Sequence, residues 1–174
     1  MEATPHRRQP LRPELEPPLD ALQHYPQVLQ LIYDYDDASD NGDEAGVRAV
    51  VEQLCALTGK AITEADLWEY WEAGGADEHA FYLLLPVPVR VAGITPAEVA
   101  EVVHRLYDPP VEPDAEPKDG MPYTTQFWLD SYYHDLLRVN LPDTYRNELF
   151  NQHKGPDGTF RELTPDEIIA RLLA

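Results

Sequence analysis

The sequence predicts an all-α protein that forms a compact single domain of seven or eight short helices. Two observations predict this class. Apolar residues recur at helical spacing in several segments, and the start signal Thr-Pro-x-Glu occurs twice, at residues 95–98 and 164–167. We assign residues 1–18 to a mobile arm that contains proline and arginine, and residues 19–174 to a single acidic domain. Residues 109–123, rich in proline and acids, form a flexible loop of that domain.

The first half of the domain begins with Pro26, which suits a first helical position. The apolar residues that follow at i, i+3, i+4 and i+7 are Val28, Leu31, Ile32 and Tyr35, and they favour a helix. A strand over residues 28–33 remains open, because Val, Ile and Tyr also favour strands.

Three further helices are predicted before residue 90. Residues 47–57 carry a continuous apolar face, and Gly59 ends that helix. A capping box of Thr63 and Asp66 opens the next helix, with Leu67, Trp68 and Trp71 on its inner face. A short helix over residues 77–85 ends before two prolines.

Four segments of the second half have helical patterns. They cover residues 95–106, 126–139, 145–152 and 164–173. The first and last begin at the Thr-Pro-x-Glu signals.

An acidic stretch, residues 34–44, holds six carboxylates in eleven residues, and we predict that it is a loop. Charge of this density cannot be packed in a core, so it must face water, a metal ion or a basic partner. The candidate partner-binding residues are these carboxylates, two tyrosines beside them, a second acidic face and one aromatic on a polar helix face. They are Asp34, Asp36, Asp37, Asp40, Asp43, Glu44, Tyr33, Tyr35, Glu69, Glu72 and Phe127.

The charge balance narrows the class of partner. The chain has 32 acidic against 13 basic residues, a formal net charge of −19. Direct binding to nucleic acid or to an anionic membrane is disfavoured because phosphates are repelled, whereas a basic protein surface is attracted. No secretory signal or membrane span is recognisable, so we expect a cytoplasmic protein.

Three patterns have features of metal sites. Asp37, Ser39, Asn41 and Gly42 match positions one, three, five and six of a calcium loop, but the twelfth position is Arg48 instead of a glutamate. The pairs Glu101 with His104 and Asp130 with His134 have the spacing of carboxylate-bridged metal sites.

Both of those pairs fall on predicted polar helix faces, so we expect their side chains to be solvated. We therefore predict no metal and no cofactor.

One pattern points to an enzyme. Arg146, followed by Asn147 and then by His153, resembles the Arg-x(4–6)-His motif of HEPN ribonucleases, which are all-helical proteins. The resemblance implies that Arg146 stabilises a phosphate and that His153 acts in acid/base catalysis.

Our main functional hypothesis is a non-enzymatic protein that binds and neutralises a basic partner, as a toxin immunity protein or antitoxin does against a nuclease-like toxin. The HEPN ribonuclease is the first alternative. The second is an acidic scaffold whose charge serves solubility only.

Overall fold

The structure is a computed structural model that describes residues 8–17, 19–68, 70–107, 129–154 and 158–174. These residues are mostly helical, with one two-stranded sheet, which confirms the all-α prediction. The described chain divides into two compact units. The acidic unit comprises the described residues within 18–86. The C-terminal unit comprises those within 1–17, 87–111 and 129–174.

The acidic unit is built around one long helix. A 3-10 helix, Leu19–His24, leads into it, and α1 packs against α2 and α5. The α-helices of this unit are α1 (Tyr25–Asp40), α2 (Glu44–Thr58), α3 (Glu64–Leu67), α4 (Tyr70–Ala73) and α5 (Ala76–Leu84).

Helix α1 corrects two expectations. Its buried face carries the predicted apolar residues, which excludes the strand over residues 28–33. The acidic stretch is not a loop, because α1 continues through Asp40 and only residues 41–43 connect it to α2. The carboxylates are accommodated because they lie outside the buried face of an amphipathic helix.

The predicted end of α2 and the predicted start of α3 are confirmed, but the buried face predicted for the second of these helices is not. Helix α2 ends at Gly59, which adopts φ +69°. The capping box of Thr63 and Asp66 is present at α3, with Asp66 accepting from the Thr63 amide at 2.8 Å. The inner-face assignment of Trp68 is wrong. Its backbone is extended, which ends α3 after one turn, and its side chain is 59% exposed.

The C-terminal unit packs α6 against α7 and α8. Its helices are α6 (Pro96–Tyr107), α7 (Asp130–Asn140) and α8 (Pro165–Leu172), with a 3-10 helix at Asn147–Phe150. Strands β1 (His153–Lys154) and β2 (Phe160–Arg161) pair antiparallel, with His153 opposite Arg161. The helix predicted over residues 145–152 is therefore wrong: one 3-10 turn forms, and the backbone is extended on both sides of it.

Residues 9–16 of the predicted arm belong to the C-terminal unit. Leu11 and Leu15 are buried, and Arg12 forms an ion pair with Glu98 of α6 at 2.5 Å. These residues are therefore fixed by packing and by charge. Residues 1–7 and 109–123 of the two predicted mobile segments lie outside the described residues, as do residues 126–128 of the predicted helix 126–139.

A buried ion pair in α6 overturns the expectation that Glu101 is solvated. Glu101 is 1% exposed and accepts from Arg105 Nε at 3.0 Å and from the Gln9 amide at 2.9 Å. Arg105 also pairs with Glu16 at 2.8 Å. The sequence pattern did not reveal this because one partner of Glu101, the Gln9 amide, lies 92 residues away in the chain. Among the described residues, no helix is long and apolar enough to cross a membrane.

Candidate partner-binding site on the acidic unit

The acidic residues of α1 and α2 border a groove. Asp34 and Asp37 of α1 and Asp43 at the start of α2 line an open cavity of about 420 Å³. Small and apolar residues complete its lining, namely Ala38, Gly46, Ala49 and Val50, together with Asn41. The groove therefore combines anionic groups with an apolar floor, a combination that suits a long cationic side chain with an aliphatic stem.

The end of α1 carries negative charge where a helix least favours it. Asp37 and Asp40 lie in its last turn, which has no basic residue. A helix C-terminus has a partial negative charge, so each of these carboxylates destabilises the helix slightly. Helix stability therefore does not explain their position.

Asp43 has both a local and a surface role. Its Oδ1 accepts from the Gly46 amide at 3.0 Å, so it caps α2. A Cβ added at Gly46 would lie 2.5 Å from Asp43 Oδ2 and 3.1 Å from the Ala38 Cβ. A larger residue at 46 would therefore displace the capping carboxylate and press against α1.

The groove carboxylates and their neighbours have no cationic partner in the part of the chain that the structure describes. None of these five exposed acids forms an ion pair with the described residues: Asp34, Asp37, Asp40, Asp43 and Glu44. In the C-terminal unit the pattern differs, since four of its arginines are paired with acids: Arg12, Arg105, Arg138 and Arg161.

Composition explains this difference. Residues 18–86 hold 14 acidic residues against two basic ones, Arg48 and Lys60. Lys60 Nζ donates to the Tyr82 carbonyl at 3.2 Å, and burial lowers the pKa of this amine. The exposed Arg48 lines a separate cavity of about 280 Å³ with Glu44 and Glu64. The negative charge of this unit is therefore largely uncompensated.

Not every predicted residue is available on this surface. Tyr35 is 2% exposed, and its hydroxyl has no hydrogen-bond partner among the described residues, so Tyr35 is a core residue and not a surface anchor. Asp36 accepts from the Tyr70 hydroxyl at 2.5 Å, and burial, followed by this bond, raises the pKa of Tyr70. Asp36 is therefore engaged within the unit.

Exposed aromatic side chains lie on the same unit. Tyr33 is 45% exposed and precedes Asp37 by one helical turn. Trp68, which sequence reasoning assigned to the interior, is 59% exposed. Glu72 is exposed on α4, whereas Glu69 and Phe127 lie outside the described residues.

The structure shows where the residues of the predicted metal and ribonuclease patterns lie. Asp37 and Ser39 lie on α1 and not in a calcium loop, and no group of three or more potential metal-ligating side chains occurs in the described chain. The exposed Arg146 donates to the Pro142 and Tyr145 carbonyls, and His153 lies on β1. Arg146 immediately precedes the 3-10 helix Asn147–Phe150, and His153 follows it on β1.

Comparisons of the chain with protein-family models, curated proteins and solved structures found no match.

Proposed function

We propose that this protein binds and neutralises a basic protein partner through the acidic groove, in the manner of a toxin immunity protein or antitoxin that blocks a nuclease-like toxin. One observation carries the proposal. The exposed carboxylates of α1 and α2 form no ion pair with any residue that the structure describes, and two of them lie at a helix end where they oppose helix stability.

The chemistry of the groove supports a cationic protein side chain as the first contact. A lysine or arginine side chain that lies across Ala38 and Ala49 would bring its charge to the carboxylates of Asp34, Asp37 and Asp43. Long-range attraction to the acidic unit would accelerate encounter with a basic surface. Exposed aromatics such as Tyr33 and Trp68 are the residue types that most often slow dissociation once they are desolvated.

A capture experiment tests the proposal. The wild-type chain and a variant with Asp34→Asn, Asp37→Asn and Asp40→Asn are used as baits in a lysate of the native host, and the retained proteins are identified by mass spectrometry. We expect the wild type to retain a basic protein that the variant does not retain.

A matched control keeps the same change in net charge. It carries Glu14→Gln, Asp143→Asn and Glu162→Gln, three exposed acids of the C-terminal unit that form no ion pair with the described residues. The control bait should retain the same basic protein as the wild type. Equal capture by all three baits would contradict a role for the groove and would favour the scaffold alternative.

A further inference from the structure

A polar cavity of about 430 Å³ lies beside α7 in the C-terminal unit. Five of its lining residues follow one face of the helix at spacings of three and four: Asp130, Ser131, His134, Asp135 and Arg138. Phe150 adds an aromatic wall, and its ring centroid is 4.5 Å from that of His134 in an edge-to-face arrangement. This cavity contains the Asp130 and His134 pair that the sequence singled out.

Arg138, the cationic side chain among the lining residues, already interacts with neighbouring groups. Arg138 forms an ion pair with Asp135, donates to Asn147 Oδ1 at 3.4 Å, and lies 5.4 Å from the centroid of the Tyr145 ring. Arg138 is therefore engaged within the protein, and we do not assign it a role in ligand binding.

This arrangement fixes the proton on His134. Because Asn147 Oδ1 accepts from Arg138, the Tyr145 hydroxyl, 2.7 Å from the same oxygen, donates to it. The Tyr145 oxygen then accepts from His134 Nδ1, at 3.0 Å. The proton lies on Nδ1, so Nε2 carries a lone pair, and Nε2 has no partner among the described residues.

The charge state of the ring is consistent with this assignment. Burial is the largest cause that lowers the pKa of His134 below its ordinary value, and Arg138 lowers it further, while Asp130 and Asp135 oppose the change. The imidazole is thus neutral near pH 7, and Nε2 acts as an acceptor.

Two other polar groups of the cavity can also accept hydrogen bonds. One oxygen of Asp130 accepts from the Ser131 amide at 2.6 Å, and the second has no partner in the described chain. The Ser131 hydroxyl likewise has none there. Asp130 lies in the first turn of α7. The cavity therefore offers a carboxylate, a hydroxyl and an imidazole lone pair.

We propose that this cavity binds a primary ammonium group, which donates its three N–H bonds to the Asp130 carboxylate, His134 Nε2 and the Ser131 hydroxyl. Phe150 contacts the carbon chain next to the nitrogen. The group belongs either to a lysine side chain or to a free alkylamine. The inference does not depend on the acidic groove, which lies in the other unit.

A titration with n-butylammonium chloride tests the proposal by NMR of the imidazole nitrogens. Before titration, Nδ1 of His134 should show the shift of a protonated nitrogen and Nε2 that of an unprotonated one. Addition of n-butylammonium should move the Nε2 resonance saturably. Tetramethylammonium, which has the same charge but no N–H donor, should not. An unmoved Nε2, or an equal response to both cations, would overturn the proposal.

Two variants locate the site. Asp130→Asn removes one charge from an exposed side chain, and it should weaken n-butylammonium binding about tenfold or more. Asp143→Asn makes the same change outside the cavity and should bind like the wild type. Equal affinities of the two variants would contradict the assignment.

The source of the amine is distinguished by two further probes. Nα-acetyl-lysine methylamide should bind more tightly than spermidine if the site takes a lysine side chain, and less tightly if it takes a free alkylamine. Either order supports an ammonium site. Saturable binding of Zn²⁺ together with no response to any amine would overturn it in favour of a metal site.

Discussion

The Asn41 side chain donates to the carbonyl of Asp37 at 2.7 Å and so closes the last turn of α1. This bond satisfies a backbone carbonyl at the helix end but leaves the Asp37 carboxylate exposed and without an ion-pair partner among the described residues. Asp40 lies in the same turn, which has no basic residue. Neutralising either of these two carboxylates should therefore affect helix stability and the proposed binding in opposite directions.

The first prediction concerns these opposite effects on stability and on binding. Asp37→Asn and Asp40→Asn should each raise the free energy of unfolding by about 0.3–1 kcal/mol, because a negative charge is removed from a helix C-terminus. Both should also slow association with the captured basic protein. Denaturant unfolding and stopped-flow binding measure the two effects. Asp43→Asn is the control, since asparagine caps a helix as well as aspartate does: it should slow association without a gain in stability. A loss of stability at Asp37 and Asp40 would contradict the argument.

The second prediction concerns Gly46→Ala. In an ordinary helix this change stabilises by about 1 kcal/mol. Here the new methyl group would meet Asp43 Oδ2 at 2.5 Å and the Ala38 Cβ at 3.1 Å. We expect a net destabilisation of about 1 kcal/mol, from the displaced cap and from overpacking between α1 and α2. Denaturant unfolding checks it, and a stabilised variant would show that the two helices separate easily.

The third prediction concerns the buried Glu101. Glu101→Ala should lower the free energy of unfolding by about 1–3 kcal/mol, because Arg105 keeps its ion pair with Glu16 but its Nε loses a buried hydrogen-bond acceptor. Protease cleavage within residues 8–17 should accelerate, since Gln9 loses its hydrogen bond to this carboxylate. Glu14→Ala, an exposed site on the same segment, should change stability by no more than about 0.5 kcal/mol. Similar effects of the two substitutions would contradict the structural role of Glu101.

The fourth prediction concerns pH. Hydrogen bonds from Arg161, then from the Thr164 amide, lower the pKa of Glu167 from 4.5 to about 2. The folded state therefore binds a proton at Glu167 less readily than the unfolded state does. The resulting stabilisation is present above pH 4.5 and is lost as the pH falls towards 2. Thermal unfolding of Glu167→Gln should lack this contribution between those values, and an unchanged pH profile would contradict it.

The sequence predicted helices best where a short local signal sets a boundary. As their residue types predict, Thr95 with Glu98 begins α6, Thr164 with Glu167 begins α8, and Gly59 ends α2. Such contacts join residues only three or four positions apart, so the local sequence contains all the information that they require.

The errors arose where tertiary contacts decide. The burial of Glu101 depends on Arg105 and on Gln9, and Gln9 is 92 residues away in the chain. The helical conformation of residues 34–40 depends on the core contacts of α1, and their charge density suggested a loop instead. The groove itself required the structure, because Asp34 and Asp43 line one cavity only when α1 packs against α2.

The most direct test of the central claim is the association rate of the captured basic protein, measured at low and at high salt. For the wild type and for the control with three neutralised acids of the C-terminal unit, we expect fast association that slows as salt increases. For the variant with Asp34, Asp37 and Asp40 neutralised, we expect slower association with a weaker salt dependence. The same rate and the same salt dependence for all three proteins would contradict the claim that the acidic groove receives the partner.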